Sequence, residues 1–224
     1  MVTGASSGIG KATALGLAAL GAHVAITGRD VTRAAAAAAD IEAAAGGVVD
    51  TFVSDLSRQS AVRRLAAEVL QSLARLDILV NSVGGYWATR HLIVDGLEHT
   101  LALNHLAPYL LTNLLLDPLR EREPSRIVTV SSAAQSGGHI DFNDLQGERD
   151  YSGACAYSCF SLPTHCSPVS WPQGCQAPRS RRTRCTRAWS VPASAPITPA
   201  ARSACSSRCC GPQWMVPRRT QPGP

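Results

Sequence analysis

The chain has 224 residues, 45% of them hydrophobic, and a mean hydropathy near zero, which suits one globular α/β domain with a proper core. No run of about 18 uncharged apolar residues occurs, and the start lacks the charged-then-apolar layout of a signal peptide. Neither a membrane span nor a secretory leader is therefore expected, and a cytoplasmic location is. The net charge of +5 is split, since residues 1–158 hold 12 Lys and Arg against 16 Asp and Glu, whereas 159–224 hold nine Arg and no acid.

In chain order, the opening MVTGASSGIGKATALGLAALGAHVAITGR reads as strand, glycine-rich turn, helix, strand. Ile9, Leu15, Leu17 and Leu20 give the helix its apolar side, and Gly21 ends it. Residues 23–27 suit a buried strand, and the alanine-rich stretch 32–45 is a strong helix former. A third strand is predicted over 48–53, an amphipathic helix over 57–73 and a fourth strand over 76–81, which runs into Ser82-Val83-Gly84. A long helix over 95–116 carries Asn104, and 126–132 form a fifth strand. Strands that alternate with helices of this length imply a Rossmann-type α/β fold, a doubly wound parallel sheet with helices on both faces. Only Met1 and Val2 precede the glycine turn, although a central first strand needs about five residues; a misassigned start codon or a truncated gene would explain it.

Gly4-x-x-x-Gly8-x-Gly10 lies between a strand remnant and a helix. Gly4 permits the tight turn, Gly8 lets the backbone approach a pyrophosphate, and Gly10 allows close packing. The helix N-terminus adds unpaired N–H groups and a favourable dipole. A glycine triplet alone fits an ordinary turn equally well; the strand before and the helix and strand after make it specific. The end of the second strand bears on which nicotinamide cofactor fits. An acid there would hold the ribose 2′-hydroxyl of NAD and repel a 2′-phosphate. Gly28 stands in its place, followed by Arg29, which with Lys11 can pair with the phosphate. NADP(H) is favoured over NAD(H), with the adjacent Asp30 pulling the other way and a solvated loop arginine as the plain alternative.

TGASSGIG, Asp55-Leu56, the NSVG segment, Asn104 and the IVTVSSA strand together resemble the short-chain dehydrogenase/reductase family. IDFNDLQGERDYSGACAYS is similar to its retinol-dehydrogenase-like branch. The resemblance covers residues 1–158 and departs mildly at NSVG, where a second Asn and an Ala are usual. It implies a nicotinamide-dependent oxidoreductase that moves hydride between NADP(H) and a small alcohol or carbonyl substrate. Gly4, Ser6, Ser7, Gly8, Ile9, Gly10 and Arg29 would hold the cofactor. Asp55 and Leu56 would meet its adenine, and Asn81 and Gly84 would line the cleft. Ser132 would hold the substrate oxygen, Tyr157 would pass the proton, and Asn104 would anchor a relaying water. Taken alone, Ser132 is equally a capping serine and Asn104 a buried helical amide. Tyr151 competes for the tyrosine role but stands too early for the motif.

The family tyrosine is followed four residues later by a lysine whose cation favours the tyrosinate and binds the nicotinamide ribose. Position 161 here is serine. Composition breaks at the same place, for 11 of the 14 prolines and seven of the eight cysteines lie from Cys159 onward. The genetic code offers a reason. If each tail codon is read from the third base of the preceding one, residues 162–172 (LPTHCSPVSWP) can become LANALFTRELA, and 180–190 (SRRTRCTRAWS) can become VTANALHPGVV. Both strings resemble what the family carries after its tyrosine. Deletion of one A from an AAG lysine codon would produce Ser161 and Leu162, so residues 159–224 are read as an out-of-frame, irregular or disordered tail. Its cysteines lack paired C-x-x-C spacing, so no metal site is expected. Its arginines mimic a nucleic-acid patch, yet GC-rich codons out of frame yield them anyway, and no nucleic-acid partner is expected. The chain should be an impaired enzyme; the rivals are a cofactor-binding remnant without turnover and, behind it, a nucleic-acid binder. A homo-oligomer fits an intact frame.

Overall fold

Alternating apolar side chains on short strands have to bury two faces, and the computed structural model shows both covered. The structure describes residues 1–121 and 124–161; of the tail read as irregular over 159–224, residues 159–161 instead complete a helix, and the rest, with the frameshift reading, lies outside the described residues. The strands are β1 (Val24–Gly28), β2 (Val49–Val53), β3 (Ile78–Asn81) and β4 (Arg126–Thr129). The helices are α1 (Gly8–Ala19), α2 (Val31–Ala45), α3 (Gln59–Ser72), a π-helical segment (Leu101–Leu106), α4 (Ala107–Leu114), α5 (Leu116–Glu121), a 3₁₀ turn (Ala133–Gly137) and α6 (Gly153–Ser161).

β1 pairs parallel with β2 from Val24 opposite Val49, and β3 with β4 from Ile78 opposite Arg126. Val2 joins the two pairs through parallel bridges to Ile26 and Val80. Its N–H donates to Ala25 O at 2.8 Å and its carbonyl accepts from Thr27 at 3.0 Å. On the other side, Val80 donates to Met1 O and Thr3 to Val80 O, each at 2.9 Å. The order is therefore β2–β1–(Met1–Thr3)–β3–β4. The two or three opening residues occupy the centre of the sheet, where Val2 has 0% exposure. Strand order reverses here, and in open α/β sheets the crevice at the strands' carboxyl ends beside such a switch point is where ligands bind.

Successive residues feed opposite cores, as the twofold period of a strand requires. Met1, Ala25, Phe52 and Leu79 pack with Val62, Leu65 and Val69 of α3, Leu111 of α4 and Leu119 of α5. Val2, Ile26, Val49 and Val80 pack with Ala14 of α1 and Ala37 and Ile41 of α2. The residues these helices bury are mostly small, Gly10 and Ala14 in α1 and Ala34, Ala37 and Ala38 beside Ile41 in α2. No helix among the described residues is long and apolar enough to cross a membrane.

Several predicted boundaries move by one or two residues, the helix Gly153–Ser161 was not predicted, and two shifts are larger. The fifth strand ends at Thr129 instead of Ser132. The long helix does not begin at Asp95, because Leu92 bridges back to Glu98 and the backbone turns at Gly96 with φ +73°. Glu98 starts the helix by accepting from Thr100 N, Thr100 Oγ1 and Leu101 N at 2.9, 2.9 and 2.8 Å. The helix then runs in π geometry through Asn104 and is interrupted at Leu115.

Candidate cofactor cleft and catalytic cluster

The glycine turn is built against the segment that follows β3. Gly4 has φ +65°, and a Cβ there would stand 3.0 Å from Val83 Cα. Thr3, wholly buried, accepts from Ser82 N at 3.0 Å and Val83 N at 3.4 Å through Oγ1. Sequence reasoning overlooked Thr3, although it directly precedes the first glycine. A Cβ on Gly10 would lie 2.4 Å from Gly4 O, so α1 can start this close to the turn only with glycine there. Gly8 has φ +55° and nothing within 4 Å of a Cβ position. Ser7 caps α1 in extended conformation without a side-chain hydrogen bond. The first-turn N–H groups have no partner within the helix. These residues fit an anionic pyrophosphate.

At the end of β1, a Cβ on Gly28 would meet Ser6 Cβ at 3.2 Å and Ala34 Cβ at 3.1 Å. A side chain at this position would press on Ser6 of the glycine turn and on Ala34 of α2, which would have to give by a few tenths of an ångström. Arg29 is exposed. Asp30 is the N-cap of α2 and accepts from Arg33 N at 2.8 Å, which occupies its carboxylate locally. Lys11, expected to assist Arg29, is turned to Asp40 of α2 in an ion pair. That expectation is corrected: the i,i+3 face of α1 that carries Lys11 packs toward α2.

Asp55 is half-buried and accepts from Ser57 N and Oγ at 3.2 and 2.8 Å, opening the turn into α3. Leu56 is buried in the α3-side core. Asn81, 3% exposed, donates from Nδ2 to Thr112 Oγ1 of α4 at 3.1 Å, and its Oδ1 is buried without a partner. Gly84 lies against Asn104, whose Oδ1 would be 3.4 Å from a Cβ. Asn104 clamps the next residue with two hydrogen bonds, accepting from Gly85 N and donating to Gly85 O, each at 2.9 Å.

Ser132 caps the 3₁₀ turn and accepts from Ala134 N at 3.2 Å, which leaves its O–H proton to donate elsewhere. Tyr157 lies mid-way along α6. That helix packs against both the 3₁₀ turn after Ser132 and the π segment that holds Asn104. Ser131 Oγ also donates to Ser161 O at 2.9 Å, tying the end of β4 to the end of α6. The Ser161 hydroxyl donates to Tyr157 O at 2.7 Å.

The Tyr151 hydroxyl is tied into the group around Glu98. Its hydroxyl donates to Glu98 Oε1 at 3.1 Å and lies 3.2 Å from Thr100 Oγ1 and 3.3 Å from Trp87 O. Burial pushes its pKa up, with the Thr100 hydrogen bond opposing. No sequence signal marked Glu98 (1% exposed), because its partners come from Thr100, Leu101, Gln146 and Tyr151. Nearby, His99 stacks on Trp87 with centroids 4.0 Å apart, and burial lowers its pKa. No cluster of potential metal ligands occurs among the described residues.

The sequence pattern described as short chain dehydrogenase matches residues 1–143, carrying the glycine turn, Asp55, Asn104 and Ser132. The chain belongs to the short-chain dehydrogenase family. Among curated members, human retinol dehydrogenase 13 is 42% identical over 166 residues, which cover 70% of this chain and 48% of that one. A metagenomic short-chain oxidoreductase solved with NADP is 31% identical at a TM-score of 0.59, covering 74% of this chain and 71% of its own. The RhlG–NADP complex of Pseudomonas aeruginosa is 32% identical at 0.59, with 74% and 62% covered. This chain spans about half the length of the curated relatives it matches.

Proposed function

We propose that this chain binds NADP(H) in preference to NAD(H) and is part of an oxidoreductase for a small alcohol or carbonyl compound, with turnover impaired at Ser161. The observation that carries the reading is convergence. Asn104, Ser132 and Tyr157 come from three segments that pack through α6. Asn104 is further linked by Gly85 to the Ser82–Val83 backbone against which Gly4 turns. The NADP complexes of two solved relatives and the retinol dehydrogenase names of the curated ones support the cofactor and the substrate class.

When bound, the nicotinamide supplies or accepts the hydride. The chain's own residues do the rest. The glycine turn and the α1 N-terminus hold the pyrophosphate. Arg29 pairs with a ribose 2′-phosphate, since Gly28 offers no carboxylate and Asp30 is engaged in capping α2. Ser132 donates its hydroxyl proton to the substrate oxygen, and Tyr157 gives that oxygen a proton or takes one from it. Asn104 holds the Gly84–Gly85 floor of the cleft in place.

NADPH and NADH fluorescence titrations test the cofactor reading. Tighter binding of NADPH by tenfold or more is expected, on the order of 1.4 kcal/mol, and Arg29→Ala should erase that margin while sparing NADH. A chain that binds neither nucleotide would overturn the proposal. A second reading, binding without turnover, is favoured by one feature, namely that a buried serine stands where the family's lysine would.

A further inference from the structure

Tyr86 lies directly after the clamped glycine pair and has no part in the chemistry so far. Its backbone is held through Gly85, whose N–H and carbonyl both bond Asn104 at 2.9 Å. Its ring meets the Tyr157 ring edge-to-face, with centroids 6.0 Å apart and planes at 79°. It is nevertheless 56% exposed, one of the few large aromatic side chains left in solvent among the described residues. The next residue, Trp87, turns to stack on His99, and Trp87 O lies against Gly153 at the start of α6, 2.1 Å from where a Cβ would stand. The loop is thereby pinned on both sides of Tyr86, by Asn104 before it and by α6 after it. The backbone of Tyr86 is thus held beside α6, where its ring meets Tyr157.

We propose that Tyr86 is a specificity-determining residue, forming an aromatic wall that packs a flat, uncharged flank of the substrate beside Tyr157. The assignment rests on the oxidoreductase reading for Tyr157. An aromatic side chain that keeps half its surface in water next to a reacting group has apolar area available for a ligand. Tyr86 bears no charge to select an acid or amine, so its selectivity is for shape and polarisable surface. A short aliphatic alcohol would not reach it, whereas an alcohol carrying an aromatic or conjugated group at the reacting carbon would.

The test uses the full chain, NADPH and two alcohol probes, cinnamyl alcohol and 1-propanol, which the reduced cofactor cannot oxidise, followed by saturation-transfer NMR. Cinnamyl alcohol should bind through its ring protons, Tyr86→Phe should keep that binding, and Tyr86→Ala should weaken it by roughly three- to tenfold, the worth of one aromatic pair. Binding of 1-propanol should be the same in all three proteins. Near-ultraviolet circular dichroism of the Trp87–His99 region checks that each variant folds. Equal binding of cinnamyl alcohol by Tyr86→Ala and the parent, or an equal loss in both variants, would overturn the assignment. NADPH titration of the same samples separates this outcome from failure of the cofactor reading, because the wall can be absent while the nucleotide still binds.

Discussion

Ser161 is buried at the end of α6 with its hydroxyl turned back on Tyr157 O at 2.7 Å, four residues after the tyrosine it would have to assist. A hydroxyl in that bond carries no charge to favour the ionised phenol, whereas an ammonium would. Ser161→Lys should therefore raise turnover of NADPH with an aldehyde by about 100-fold, the usual worth of a well-matched acid–base group, while changing NADPH affinity far less. Stopped-flow and steady-state rates on both proteins check it; an unchanged rate would place the defect elsewhere. Single residues were partly legible beforehand. Gly4, Gly8 and Gly10 announce themselves because each solves a local backbone problem, as the 2.4 Å approach of a Gly10 Cβ to Gly4 O shows. Lys11 misled, since whether a cation meets a phosphate or Asp40 depends on a helix 29 residues away.

Among the elements, the helix over 99–114 depends most on distant parts of the chain. Glu98 takes its place at the helix start from Thr100 and Leu101, and Gln146 and Tyr151 close over it from the loop before α6. Removing one acceptor from this group leaves a buried N–H facing a donor. Glu98→Gln should lower stability by about 1–3 kcal/mol, read as a shift in the urea midpoint. Because the same helix carries Asn104, exchange at Gly85 N–H should speed up in parallel; a stability loss with Gly85 protection intact would show that the two are uncoupled. Hydrophobic periodicity over 95–116 predicts a helix and could not locate its start, because the stop at Gly96 and the cap at Glu98 are supplied by the Leu92 bridge and the loop from Gln146.

For the whole molecule, the sheet is joined at its centre by Met1–Thr3. The Met1 α-amino group donates to Ile78 O at 2.8 Å, and burial lowers its pKa from 8.0 to about 6, with Asp77 opposing. In a chain that begins at Met1, the folded state thus holds this amine neutral between about pH 6 and 8, where the unfolded chain protonates it. Stability is full above pH 8, falls as pH drops toward 6 and levels off below, a loss of roughly 2–3 kcal/mol for a shift of this size. Urea melts of the chain beginning at Met1, from pH 5.5 to 8.5, should show that step. Extending the strand upstream with four apolar residues replaces the amine with an amide and should abolish it. A step that survives the extension would point to another group, such as His105, whose pKa burial also lowers.

The sequence alone settled the alternation of strands and helices as far as the strand at 126–129, the parallel doubly wound class and the glycine turn, because each follows from local periodicity or from a backbone conformation only glycine adopts readily; it did not show the helix Gly153–Ser161. It also carried the family motifs up to Tyr157. Only the tertiary structure decided that Met1–Thr3 bridge β1 and β3, that Asp30 caps α2, that Tyr151 serves Glu98, and that Tyr86 stands edge-on to Tyr157. The physical reason is the same in each case. These roles are set by partners 3 to 78 residues away along the chain, and a side chain's chemistry is chosen by what packs against it.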